Sequence, residues 1–167
     1  MKVLLIQPLV SAEAAYPMGL DAMVPGLQKA GCQVFGVDEH FDSREAILAL
    51  CREQQFDWVG ATVVEHNSAQ VGQLFAAIRT DCGAQFFVAG MWPTIHPRSA
   101  LRRCDAEIAI IGAPEPVVAA LMRTGRPGPG TASLRDGECQ VLPPGKRVYL
   151  ADLPLMDRTV FPVLRYS

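Results

Sequence analysis

The feature that most constrains this chain is a repeated switch between two hydrophobic periods along its first 125 residues. Met1–Gln7 (MKVLLIQ) carries the continuous apolar run Val3–Ile6, the pattern of a strand buried on both faces. Gln33–Val37, Trp58–Val64, Gln85–Ala89 and Glu107–Ile111 repeat it. Between these runs the apolar spacing is helical. It predicts helices over Met18–Ala30, Arg44–Gln54, Asn67–Arg79, Arg98–Arg103 and Glu115–Arg123. The predicted inward residues are Leu20, Met23, Val24 and Leu27, then Ile47, Leu48 and Cys51, then Val71, Leu74, Phe75 and Ile78. Asp42 or Ser43 is expected to cap the second helix, and Asn67 or Ser68 the third. Pro25 must kink or shorten the first helix, and Gly31 closes it.

Strands and helices in strict alternation imply a doubly wound α/β domain, flavodoxin-like or Rossmann-like. The expected sheet has five parallel strands in the order 2-1-3-4-5. After Gly125 the texture changes. Arg126–Gly130 (RPGPG) is a breaker-rich linker, and Thr131–Leu134 and Glu138–Leu142 flank Asp136-Gly137, a type I′ hairpin signal. Lys146–Ser167 has little periodicity and is expected to wrap the domain or lead onward. The chain thus divides into an α/β domain, 1–125, and a hairpin with linker, 126–167.

A formal net charge of -2 without a basic cluster argues against nucleic acid or an anionic membrane as partner. No stretch approaches the ~20 apolar residues of a membrane helix. Residues 1–10 offer only Lys2 as a charged lead-in, lack a small-residue cleavage site, and read as a strand, not a signal peptide. The cysteines, Cys32, Cys51, Cys82, Cys104 and Cys139, are odd in number and form no CxxC pair. Free thiols in a cytoplasmic protein are expected.

In open α/β sheets a ligand lies outside the carboxyl ends of the strands, at the topological switch point. Here that means Gln7–Tyr16, Thr62–Asn67, Gly90–His96 and Gly112–Glu115. Common occupants lack their signatures. The first loop, QPLVSAEAAYP, is no hydroxyl- and glycine-rich phosphate loop; Gln7 and Thr62 stand where a phosphorylation receiver needs acids; GxGxxG and GxSxG are missing. The strand ends are instead small and uncharged: Ala61 and Thr62, Ala89 and Gly90. Such ends admit a bulky group close to backbone, or serve tight helix–sheet packing.

Several ordered motifs resemble one family, the N-terminal cobalamin-binding domain of B12-dependent radical S-adenosylmethionine enzymes. The resemblance covers residues 1–116 and, more loosely, Ala151–Tyr166. It rests on the opening KVLLIQP, on Pro17-Met18-Gly19-Leu20, and on Val59-Gly60-Ala61-Thr62, similar to VGIS. Ala89-Gly90-Met91-Trp92-Pro93-Thr94 is similar to GGPHPT, and Gly112-Ala113-Pro114-Glu115 to GEGE. Ala151–Asp157 looks like the DLP-x-x-D segment that leads to the family's radical core.

The resemblance implies a corrin ring on the strand ends and a nucleotide tail in a slot between Thr62–Val64 and Ala89–Gly90. It implies corrin contacts from Gln7, Pro8 and Leu9, from Met91, Trp92, Pro93 and Thr94, and from Gly112 and Glu115. Trp92 would lie against the ring edge or fill a core gap. Another corrinoid fold gives cobalt a histidine from DxHxxG after strand one; this first loop has no histidine. Asp38-Glu39-His40 lacks the glycine of that motif. The resemblance implies cobalamin bound base-off and without the usual histidine ligand. In the loop after strand three, His66 is the candidate metal residue at the lower face of cobalt, as ligand or through water, with Glu65 beside it. Both also read as solvated loop residues next to Asn67. His96 reads as a loop contact.

No cysteines have the CxxxCxxC spacing that holds a [4Fe–4S] cluster. This chain alone is not expected to cleave S-adenosylmethionine; cluster and S-adenosylmethionine would belong to a radical core in the parent, a methyltransferase or cyclase. Two other readings stay open: a free-standing regulatory domain that senses cobalamin or another small ligand, and a non-catalytic protein-interaction domain. A downstream CxxxCxxC would decide for the enzyme.

Overall fold

Apolar residues on both sides of a strand require helices on both faces of the sheet, and the computed structural model has them. It describes residues 1–145, 151 and 153–167. Five strands run parallel: β1 (Lys2–Gln7), β2 (Gln33–Asp38), β3 (Trp58–Thr62), β4 (Gln85–Ala89) and β5 (Ile108–Ile110). The hairpin β6 (Thr131–Arg135) and β7 (Glu138–Leu142) adds to β5 antiparallel. The sheet order is β2-β1-β3-β4-β5-β6-β7, so the expected 2-1-3-4-5 core carries a two-strand extension. Asp136 and Gly137 have φ of 53° and 80°, as a type I′ turn demands.

Alternate residues of each strand feed opposite layers. Leu4, Ile6, Val59 and Ala61 pack against α3 (Arg44–Gln54), α4 (Ser68–Asp81) and α6 (Pro97–Cys104). Val3, Leu5, Phe87 and Ile110 pack against α1 (Met18–Asp21), α2 (Val24–Lys29) and α7 (Pro114–Thr124). The connection after β1 and the connection after β3 therefore leave on opposite faces. That places the switch point between these two strands.

Several expected elements are corrected. Pro25 splits the expected Met18–Ala30 helix into α1 and α2, because a proline there has no N–H for the carbonyl of Asp21. The second piece ends as predicted: Gly31 has φ 81°, its N–H meets Gln28 O, and Cys32 N–H meets Leu27 O, a Schellman end. Ser43, not Asp42, caps α3 by accepting from Ala46 N–H. Neither Asn67 nor Ser68 caps α4 through its side chain. Asn67 Oδ1 turns back to Val64 N–H, and Ser68 Oγ donates to Glu65 O, so Glu65–Asn67 form a 3-10 turn. Strand β3 ends at Thr62, two residues early, leaving Val63 and Val64 in that loop. The loop expected over Gly90–Pro97 contains α5 (Met91–Ile95).

The last residues return to the far edge of the sheet. Phe161 is buried among Val3, Leu5 and Leu20. Gly36 of β2 makes room for it: a Cβ there would stand 2.8 Å from the Phe161 ring and 2.6 Å from Val160. The expected linker over 146–150, and Asp152 of the DLP-like segment, lie outside the described residues.

Candidate functional site

At the switch point the ends of β1 and β3 are laced together. Thr62 Oγ1 donates to Gln7 Oε1 at 3.2 Å, and both side chains are half-buried. Gly19 of α1 rides over this pair; a Cβ on it would sit 3.8 Å from Thr62 Cγ2, ordinary contact. The seam is thus lined by small groups with backbone close beneath. Gly60, one of the small positions in the family-like motif, is used differently. A Cβ there would collide with the Phe87 ring, so that glycine serves core packing.

The first loop leans onto the loops after β2 and β3. Leu9 N–H donates to Glu39 Oε2, and Gln70 holds the same oxygen. His66 Nε2 meets Val10 O at 3.1 Å, and His40 Nε2 meets Ser11 O at 3.0 Å. Pro8 is buried, whereas Leu9 is 43% exposed. Glu65 and His66 are both exposed, with Arg103 3.9 Å from Glu65.

The loop after β4 is built on Gly90, whose φ of 121° and ψ of −176° belong to glycine. Its missing Cβ leaves room for Val63 O, which would otherwise lie 3.1 Å away. Thr94 Oγ1 donates to Gly90 O at 2.8 Å and accepts from Gly112 N–H at 3.1 Å, joining the loops after β4 and β5. Ala89 and Pro93 are buried and Met91 is 76% exposed. Trp92 packs in the core with Val63, Ala100 and Leu101 beneath the Arg103 guanidinium, so its ring fills a core gap. His96 is exposed at the junction of α5 and α6.

Two properties mark this edge of the sheet. Exposed apolar side chains stand on it: Leu9, Met18, Met91 and Ile95. Furthermore, the buried polar atoms that lack a partner among the described residues are Asp21 Oδ1, Asn67 Nδ2 and Glu115 Oε2. They belong to the segments that follow β1, β3 and β5. Burial without a partner costs about 1–3 kcal/mol per group, so these atoms favour a ligand that both donates and accepts. Asp21 is fully buried; Tyr16 donates to its other oxygen at 2.8 Å. Burial, and then that carboxylate, push the Tyr16 phenol up to about 12. Sequence reasoning passed over Asp21, and it weighed Glu39 and His40 only as a failed cobalt motif because their contacts with the first loop span about thirty residues. Asn67, read as a cap, carries the orphaned donor.

An open cleft of about 610 Å³ lies at the amino ends instead, between Trp58, Gln85, Ile108, Arg126 and Arg135. None of the orphaned atoms lines it. Among the described residues no group of His, Cys, Asp and Glu is placed to hold a metal by side chains alone, and no helix is long and apolar enough to cross a membrane.

No family model matches the sequence, and no curated protein matches it. Solved structures do. One is the radical S-adenosylmethionine methyltransferase TsrM from Kitasatospora setae, with cobalamin and a [4Fe-4S] cluster bound. It aligns over 95% of this chain at 20% identity and a TM-score of 0.75. Another is the cobalamin-dependent S-adenosylmethionine radical enzyme OxsB with aqua-cobalamin bound, aligned over 92% of this chain at 13% identity and a TM-score of 0.77. The chain spans only 32% of the former and 24% of the latter. At these identities the likeness is one of fold. This chain therefore has a fold that cobalamin-dependent S-adenosylmethionine radical enzymes contain, in agreement with the family its motifs resemble.

Proposed function

We propose that this chain binds cobalamin across the carboxyl ends of β1, β3, β4 and β5, base-off and without a histidine from the first loop. The observation that carries the reading is the location of the orphaned atoms of Asp21, Asn67 and Glu115. One donor and two acceptors suit a ligand rimmed by carboxamides, and the exposed Leu9, Met18, Met91 and Ile95 suit its apolar body. The residues fit the group.

In this reading Gln7 and Thr62 border the seam where the nucleotide tail enters, with Val64 and Gly90 alongside. Leu9 and Met91 exclude water from the ring edges. Glu65 and His66, in the loop after β3, would be the residues nearest the cobalt. Thr94 fixes the loops after β4 and β5 relative to each other. When bound, cobalamin would supply a cobalt centre able to carry a methyl group, and these residues would hold and orient it. Residues 1–125 would supply the contacts to the ligand, and a radical core with its own [4Fe–4S] cluster and S-adenosylmethionine would belong to the parent enzyme. The whole would be a B12-dependent radical methyltransferase.

The test is direct. Purified chain is mixed with hydroxocobalamin, desalted, and its absorption spectrum recorded. About one corrinoid per chain, with a base-off spectrum, is expected. A folded chain that emerges colourless overturns the proposal.

A further inference from the structure

We infer that Tyr166 and Arg165, far along the chain, are positioning residues for the first loop: their docking on Asp38 and Asp42 fixes His40, which holds the loop at Ser11. Asp38 ends β2 and is 1% exposed. Both of its oxygens are used. Oδ1 accepts from His40 N–H at 2.9 Å and meets His40 Nδ1 at 3.0 Å. Oδ2 accepts from the Tyr166 hydroxyl at 2.9 Å. A buried carboxylate that loses one of its donors must turn or take up a proton, so Tyr166 sets the orientation that His40 reads.

The far nitrogen of His40 then reaches Ser11 O at 3.0 Å, in the middle of the first loop. A second attachment runs in parallel. Arg165 holds Asp42 through two nitrogens, at 2.9 and 3.3 Å, and Asp42 Oδ2 accepts from Asp38 N–H. The Tyr166 ring also packs edge-on against Tyr16, 5.3 Å between centroids, at the other end of the loop. The tail thus grips the loop at Ser11 through two intermediaries and at Tyr16 directly. Docked, it fixes the loop at Ser11 and Tyr16, next to Leu9 and Val10, which Glu39 and His66 hold. The segment that follows the sheet thereby controls a wall of the site, and only the identity of the ligand behind that wall rests on the function proposed above.

Hydrogen–deuterium exchange of peptides covering residues 8–17 tests this without any ligand. Tyr166→Phe keeps the ring and removes only the hydroxyl. It is expected to speed exchange there by roughly tenfold, the loss of one hydrogen bond to a charged group. His40→Ala is expected to do the same. In the double variant the effects at residues 8–13 should not add, because both substitutions cut one chain of contacts. Unchanged exchange in Tyr166→Phe, or additive effects, overturns the inference. With hydroxocobalamin, Tyr166→Phe should also shed the corrinoid faster than wild type. If wild type retains none while the exchange pattern holds, the positioning role stands and the ligand assignment fails.

Discussion

The imidazole of His66 commits its Nε2 to the carbonyl of Val10, 3.1 Å away. A carbonyl oxygen only accepts, so Nε2 donates to it and offers no lone pair to a metal. The residue nominated for the lower face of cobalt is thus, in this structure, a tether between the loops after β1 and β3. We expect His66→Ala to leave the absorption maxima of bound cobalamin where they are while weakening its retention severalfold. A shifted spectrum would mean that Nδ1, or Nε2 after release of Val10, reaches the metal.

Gly90 offers a test of the β4 loop. Its φ of 121° with extended ψ is nearly closed to residues with a Cβ, and Val63 O stands 3.1 Å from where that atom would be. Gly90→Ala should lose about 1–3 kcal/mol, from backbone strain that the loop can shed only by moving. Urea unfolding measures the loss. Because Thr94 Oγ1 binds Gly90 O, the Gly112 loop should move too, and corrinoid retention should fall further than stability alone predicts.

How far the sequence carried the reading depends on the range of the interactions. The parallel core was legible because strands such as Val3–Ile6 and Phe86–Ala89 are buried on both faces and must be apolar throughout. Gly31 and the Asp136-Gly137 turn were legible because positive φ is a local demand. Helix α5 was hidden: it is a single short turn that contains Pro93 and follows a glycine. Trp92 carries the same name whether it faces a ring or a core, and only the approach of α6 decided for the core. The docking of Tyr166 on Asp38 spans 128 positions and has no period to betray it.

The thiols should report the core. Cys32, Cys51, Cys82 and Cys104 are buried, and only Cys139, on β7, is half-exposed. Burial pushes the Cys51 and Cys104 thiols up to about 12, which removes their reactive thiolate at neutral pH. Titration with a chromogenic disulfide reagent should find one fast thiol in the folded chain and all five in urea. A second fast thiol would show that a helix layer opens readily.

Alkaline pH should destabilise the fold with a recognisable sign. Tyr16 rises from its ordinary 10 to about 12, chiefly through burial and then through Asp21, and Tyr166 is raised by burial and by Asp38. Between pH 10 and 12 the unfolded chain has lost protons that the folded chain still holds, so stability must fall as pH rises through that window. The contribution is intact below pH 10 and gone above the folded value. Cys51 and Cys104, raised from 9, push in the same direction and start the decline earlier. Tyr16→Phe removes one titrating proton, and its urea midpoint should depend less steeply on pH between 10 and 12. At pH 8 the same variant should be less stable by about 1–3 kcal/mol, because Asp21 is then buried with neither oxygen partnered. A variant as stable as wild type at pH 8, with the same alkaline slope, would mean that the Tyr16–Asp21 pair contributes nothing to the fold.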